Sequence, residues 1–96
     1  MGDKNIKSLG ESLNELIHQL KLDDKIIETK IKEEWKTILG HNIAVLTTDV
    51  TFKNGKITVY LKSSVLRNEL YMSKRKVIAT INSYFGKEIV KEAIFK

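Results

Sequence analysis

The amino-acid sequence predicts a small α+β domain of element order α-α-β-β-α-β, with helices covering one face of a three-stranded sheet. Two observations predict this class. Apolar residues recur at helical spacing on both sides of a central segment, residues 50–61, in which they alternate with polar residues. The 96 residues, 42% of them hydrophobic, suffice for one modest core. We therefore expect a single domain over residues 1–96, with an N-terminal helix in residues 1–22 and the core of the fold in residues 23–96.

An amphipathic stripe predicts the N-terminal helix. Its apolar members recur at i, i+3, i+7, i+10, i+11 and i+14, which lie along one helix face: Ile6, Leu9, Leu13, Leu16, Ile17 and Leu20. The spacing is close to a coiled-coil seam, but it lasts about two heptads where a coiled coil needs roughly three or four. We expect this face to pack on the core. The alternative is a homodimer that forms through Leu9, Leu13, Leu16 and Leu20.

A second helix is predicted between Asp24 and Gly40. Asp23 and Asp24 offer an N-cap and a negative charge at the helix start, and Gly40 ends the helix. The expected inner face consists of Ile27, Ile31, Trp35 and Ile38. Because Trp35 continues this stripe, we interpret it as a core anchor rather than as the partner hot spot that tryptophan often forms. For residues 41–46 we expect a short turn or irregular bridge.

A β-hairpin follows, centred on Asn54-Gly55, the pair that type I′ turns favour because both central positions have positive φ. The apolar positions expected to face the core are Val50, Phe52, Ile57, Val59 and Leu61. Successive strand residues point to opposite faces. The solvent face is therefore expected to carry Lys56, Thr58, Tyr60 and Lys62.

A third helix is predicted from a cap at Ser63 or Ser64 to Gly86, since glycine commonly follows a helix end. Its expected inner stripe consists of Leu66, Leu70, Ser73, Val77, Ile81 and Tyr84. One flank of that stripe carries Arg67, Tyr71, Lys74 and Arg75, and Lys76 falls on the other side. A final strand over about residues 88–95 completes the sheet.

The excess positive charge of the chain is concentrated in one quarter of it. Residues 53–76 contain seven cations and Glu69 as the only acid, a formal +6, whereas the other 72 residues sum to −1. Such a segregated field attracts polyanions, because neutralising phosphates releases condensed counterions. Tyr60 and Tyr71 lie among these cations and offer faces for base stacking. We expect salt-sensitive, weakly sequence-selective binding to DNA or RNA, with solvated surface charge as the alternative.

Several function classes lack their motifs. The chain has no cysteine, which excludes disulfides and thiolate zinc sites, and its two histidines suggest no metal or other cofactor. No Ser-His-Asp set, P-loop or dinucleotide-binding glycine motif occurs, which argues against an enzyme. No apolar run approaches the roughly 18 residues that span a bilayer, and the first nine residues lack the apolar core of a secretory signal. We expect a cytoplasmic protein that does not contact membranes.

Several short motifs follow one another in a recognisable order. Trp35 precedes Gly40 by five residues at the end of the second helix. Residues 56–61 read KITVYL after the Asn-Gly turn, and residues 63–70 read SSVLRNEL at the start of the third helix. Each motif alone is weak, but their order and spacing together are fairly specific.

Ile81-Asn82 and Gly86 complete this pattern at the end of the third helix. Over roughly Leu13 to Phe95, the sequence resembles the DciA family of bacterial replicative-helicase loaders. The resemblance implies a KH-like fold and a role in assisting the loading of the replicative helicase on DNA. The helicase is then the implied partner, beside nucleic acid.

KH domains proper hold nucleic acid with a G-x-x-G loop between two helices. Gly40 is followed by His41, Asn42 and Ile43, and the other glycines also lack that spacing. Binding is therefore expected to use the basic face, and without a P-loop the chain is expected to bind and position DNA rather than hydrolyse ATP. The expected binding residues are Lys53, Lys56, Tyr60, Lys62, Arg67, Tyr71, Lys74 and Arg75. A basic protein-interaction module is the rival interpretation.

Overall fold

The computed structural model describes residues 24–96 of the chain. In chain order the elements are α1 (Asp24–Glu33), α2 (Trp35–Leu39), α3 (His41–Val45), β1 (Thr47–Lys53), β2 (Lys56–Leu61), α4 (Ser64–Met72), α5 (Lys74–Phe85) and β3 (Glu92–Phe95). The strands form one sheet of order β1-β2-β3, in which β1 and β2 are antiparallel and β2 and β3 are parallel. This arrangement confirms the predicted α+β class and is consistent with a KH-like fold. The predicted N-terminal helix and its dimerisation seam lie outside the described residues.

The β1–β2 hairpin has the predicted form. Asn54 and Gly55 have φ values of 52° and 79°, the two positive values that a type I′ turn requires. All the apolar positions expected to face the core are buried: Val50, Phe52, Ile57, Val59 and Leu61. On the other face, Lys56 is exposed, whereas Thr58 and Tyr60 are half-buried.

β3 begins four residues later than predicted, because the chain before it is bonded to α5. Oδ1 of Asn82 accepts the backbone N–H groups of Ile89 and Val90 at 2.9 and 2.8 Å, and Nδ2 of Asn82 donates to the Val90 carbonyl at 2.8 Å. Pairing with the hairpin starts where the Gly55 carbonyl accepts the N–H groups of Lys91 and Glu92 at 2.7 and 3.2 Å. The side-chain amide of Asn82 thus sets where the last strand begins.

Helix α1 lies along the open edge of β1. Oε1 of Glu28 accepts the backbone N–H of Phe52 at 3.0 Å, and Oδ2 of Asp24 accepts that of Asn54 at 2.8 Å. The spacings match because four helical residues rise about 6 Å and two strand residues advance about 6.7 Å. Backbone donors that an edge strand leaves unpaired are therefore satisfied by helix carboxylates.

Both long helices predicted from the sequence are interrupted. The second predicted helix is divided into α1 and α2 at Glu34, with φ −101° and ψ 8°. The third is divided into α4 and α5 at Ser73, with φ −105° and ψ 23°. The divisions change which neighbours the halves meet. α1 contacts β1 while α2 contacts α5, and α4 contacts β2 and β3 while α5 contacts α2 and β3. Ser73, which was expected in the inner stripe, is exposed at this break.

The predicted helix ends are confirmed. Gly40 follows α2 with φ 97°, and Gly86 follows α5 with φ 71° in the left-handed region. Oγ of Ser63 accepts the N–H of Leu66 at 3.1 Å and caps α4. The expectation of a turn or irregular bridge after Gly40 was wrong. His41–Val45 form the short helix α3, whose residue Ile43 packs against the core.

The core lies between the inner sheet face and the helices. Besides the strand residues, it contains Ile31, Trp35, Ile38, Leu70, Val77, Ile81, Phe85, Val90 and Ala93. Trp35 is 5% exposed and its Nε1 donates to Oγ1 of Thr47 at 3.0 Å, which confirms its core role. The Tyr84 hydroxyl donates to Oε1 of Glu34 at 2.8 Å. Burial and this carboxylate raise the pKa of Tyr84 to about 12, so it remains a neutral donor.

Candidate nucleic-acid interface

The solvent face of the hairpin carries a row of charged residues at its turn end. Lys53 and Lys56 lie directly opposite each other across β1 and β2, and Glu92 is the partner of Lys56 across β2 and β3. Neighbouring strands are about 4.8 Å apart, so these three side chains are adjacent. Like charges directly opposite each other are destabilising in a sheet. Lys53 and Lys56 therefore repel each other, and an anion bound between them would relieve that repulsion.

The junction between α4 and α5 brings a second set of side chains to the same end of the sheet. Nζ of Lys74 lies 3.5 Å from Oε2 of Glu92 and 5.5 Å from the centroid of the Tyr71 ring. The Tyr71 residue is 63% exposed, and Arg75 beside it is exposed as well. A cation over an aromatic face is attracted by the ring quadrupole, which orients both side chains.

Glu92 joins these two sets, because it neighbours Lys56 in the sheet and pairs with Lys74 from α5. We call the joined surface the hairpin cluster. It consists of Lys53, Lys56, Tyr71, Lys74, Arg75 and Glu92. Five of the eight residues expected to bind nucleic acid thus lie on one surface.

The remaining three residues lie around the other end of β2 and form what we call the strand-end cluster, Tyr60, Lys62 and Arg67. Lys62 directly follows β2 and lies six residues after Lys56, an extended distance of about 20 Å. Tyr60 is half-buried and Lys62 is exposed. The eight expected residues are therefore divided between two clusters rather than gathered in one.

Arg67 differs from the other cations in being partly engaged within the fold. Its Nη2 donates to the Leu61 carbonyl at 3.3 Å, and its Nε is buried without a hydrogen-bond partner in the described part of the chain. Part of the guanidinium therefore caps the end of β2. Only the part of the Arg67 guanidinium that is not engaged in this way is left for a ligand.

An acidic residue also lies beside the strand-end cluster. Asp49 is the partner of Tyr60 across β1 and β2. The Val50 backbone N–H, followed by the Lys32 ammonium at 3.2 Å, holds the pKa of the Asp49 carboxyl below its ordinary value of 3.8. Asp49 is thus ionised near neutral pH, and its charge is offset by Lys32 from α1.

Glu92 is a member of the hairpin cluster that charge segregation and strand alternation do not indicate. Its position depends on the parallel register of β2 and β3, which places the first residues of the two strands side by side. No local sequence signal gives that register, because the start of β3 is set by the hydrogen bonds of Asn82 to Ile89 and Val90. Lys76, which was expected on the other side of the stripe, lines the same groove as Tyr71, Lys74 and Arg75, and it also lines a groove with Ile38 and Tyr84.

Within residues 24–96, no three histidine, cysteine or acidic side chains are grouped as a metal site requires. None of the helices in the same part of the chain has the length and apolar character that a bilayer crossing demands.

Comparison with known proteins gives one match, to a family. Neither a curated protein nor a solved structure matches the chain significantly. The model of the family described as "Dna[CI] antecedent, DciA" matches residues 8–95, nearly the whole chain. This match confirms the resemblance found in the sequence. The chain therefore belongs to the DciA family, whose members have a helicase-loader type of accessory role in DNA replication and are not a family of catalytic enzymes.

Proposed function

We propose that this chain binds DNA through the hairpin and strand-end clusters and positions it for the replicative helicase, in the cytoplasm and without catalysis of its own. The observation that carries the proposal is the direct pairing of Lys53 with Lys56 on the solvent face. Glu92, the partner of Lys56 on β3, forms an ion pair with Lys74 and so brings a third cation to the same surface. Like charges opposite each other destabilise a sheet by a few tenths of a kcal/mol. A phosphate between them would remove that repulsion.

The proposed mode of binding is phosphate contact with one or two stacked bases. Tyr71 is exposed and already oriented by the Lys74 ammonium, which suits it to stack on an unpaired base. Tyr60 is half-buried, so it offers less of its ring. Stacking and phosphate contact carry little sequence information, so weak sequence selectivity is expected. Because RNA offers the same two features, RNA oligonucleotides belong in the test.

Fluorescence anisotropy with single-stranded DNA, duplex DNA and single-stranded RNA, each across a salt series, tests the proposal. The informative variant is Lys53→Gln combined with Lys56→Gln. If each lysine contacts one phosphate, the variant should bind single strands about 25-fold more weakly at about 0.1 M salt, with a salt slope shallower by about 1.4.

The matched control is Lys30→Gln combined with Lys36→Gln, which removes the same charge from α1 and α2. This control should retain nearly the wild-type slope, since its lysines lie outside both clusters. Equal losses in the two double variants would contradict a localised site. Salt-independent binding, or no binding by the wild-type protein at low salt, would remove the nucleic-acid part of the proposal.

The helicase is proposed as partner because of family membership. Co-purification of the purified chain with the replicative helicase of the same cell tests this part separately. Retention of the helicase supports it. Lack of retention with and without DNA would leave only nucleic-acid binding.

A further inference from the structure

Glu92 is the acidic member of the hairpin cluster. Its Oε2 lies 3.5 Å from Nζ of Lys74, and in the sheet it is the register partner of Lys56 across β2 and β3. Its side chain is 50% exposed, and that of Lys74 is 31% exposed. The carboxylate therefore occupies, at the surface and against the Lys74 ammonium, the kind of position that a phosphate oxygen would take.

We propose that Glu92 occupies a phosphate position of the hairpin cluster and sets the affinity for DNA by competing with the phosphate for Lys74. This inference rests on the proposed function. DNA must displace or bypass the carboxylate before Lys74 can neutralise a phosphate. Glu92 is thus an affinity-determining residue that keeps binding to this cluster weak and reversible.

Two features of the contact favour competition over support. An exposed lysine–carboxylate pair stabilises little, because both groups lose strong hydration when they meet. The Tyr71 ring also holds the Lys74 ammonium at 5.5 Å, so the lysine keeps an orienting partner when Glu92 is neutralised. What Glu92 adds to the cluster is then chiefly a negative charge, which repels an incoming phosphate.

The test is Glu92→Gln, measured by fluorescence anisotropy with single-stranded DNA across a salt series. Freeing one lysine for one phosphate should make the salt slope steeper by about 0.7 and the binding about 5-fold tighter at about 0.1 M salt. In a Lys74→Met background, Glu92→Gln should have almost no effect, because the contested cation is absent. Comparing the effect of Glu92→Gln in the two backgrounds separates competition for Lys74 from a general gain in positive charge.

Glu33→Gln is the matched control. Glu33 forms an exposed pair with Lys30 on α1 at 3.8 Å, so the variant makes the same charge change in the same kind of contact at the opposite side of the sheet. It should leave the slope unchanged. Weaker or unchanged binding by Glu92→Gln, or an equal gain in Glu33→Gln, would overturn the inference while wild-type binding upholds the proposed function. Absence of wild-type DNA binding would overturn both.

Discussion

The two outer strands of the sheet meet acidic side chains in different ways. At β1, Glu28 of α1 is 8% exposed and accepts a backbone N–H from Phe52. At β3, Glu92 is half-exposed and faces the Lys74 ammonium. A buried hydrogen bond has no water to replace it, whereas an exposed ion pair exchanges readily with solvent ions. The same residue type therefore fixes the fold at one edge and remains available for ligand exchange at the other.

The largest effect should come from removing the acid at the β1 edge. Glu28→Ala leaves the buried Phe52 N–H without a partner and removes the anion that Lys25 and Lys32 contact at 3.4 and 3.5 Å. The free energy of unfolding should fall by about 3 kcal/mol. Urea denaturation measures it, with Glu33→Ala as an exposed control that should change stability by less than about 0.5 kcal/mol. Equal effects of the two variants would show that α1 does not seal this edge.

A smaller loss of stability is expected at the start of β3, where the backbone is held by the neutral side-chain amide of Asn82 rather than by a carboxylate. Asn82→Ala removes three hydrogen bonds to Ile89 and Val90. Net contributions of about 1 kcal/mol each, partly recovered from water, predict a loss of about 2 kcal/mol. The exposed neighbour Ser83→Ala should change stability by less than about 0.5 kcal/mol. If Asn82→Ala matches that control, β3 is positioned by its pairing with β2 alone.

The β1 edge should also be sensitive to acid. The Phe52 N–H, together with the nearby lysines, holds the pKa of Glu28 below its ordinary value of 4.5. Below that pH the unfolded chain binds the proton more readily than the folded one, so stability falls as the pH decreases through the lower folded-state pKa. Glu28→Gln should flatten this dependence, leaving the part due to Asp49, whose pKa is lowered too. Urea midpoints above and below pH 4.5 measure it, and parallel pH profiles would contradict it.

Local patterns predicted much of this fold. The period-two alternation and Asn54-Gly55 fixed the hairpin and its faces, and Gly40, Ser63 and Gly86 marked helix ends, because each of these signals acts through nearby backbone. The breaks in the long helices could not be seen in the same way. They follow from which neighbour each half packs against, a tertiary property that periodicity does not contain.

The candidate site was predictable in part for the same reason. Charge segregation indicated the candidate lysines, and alternation predicted that Lys56 and Tyr60 lie on the solvent face, where Lys56 is exposed and Tyr60 half-buried. The separation into two clusters, the inward turn of Arg67 and the position of Glu92 depend on strand register and on how α4 meets the sheet. Distances between elements are set by the whole core, so single-residue patterns do not report them.

The smallest change in stability should come from the pair at β3, which is the sharpest test of the difference between the edges. Glu92→Gln and Lys74→Met each break an exposed contact of 3.5 Å, and each should alter the free energy of unfolding by less than about 0.5 kcal/mol. Urea denaturation without DNA measures this, beside Glu28→Ala. A loss comparable to that of Glu28→Ala would mean that Glu92 holds β3 in place. The two edges would then be alike, and a carboxylate required by the fold could not yield its lysine to a phosphate.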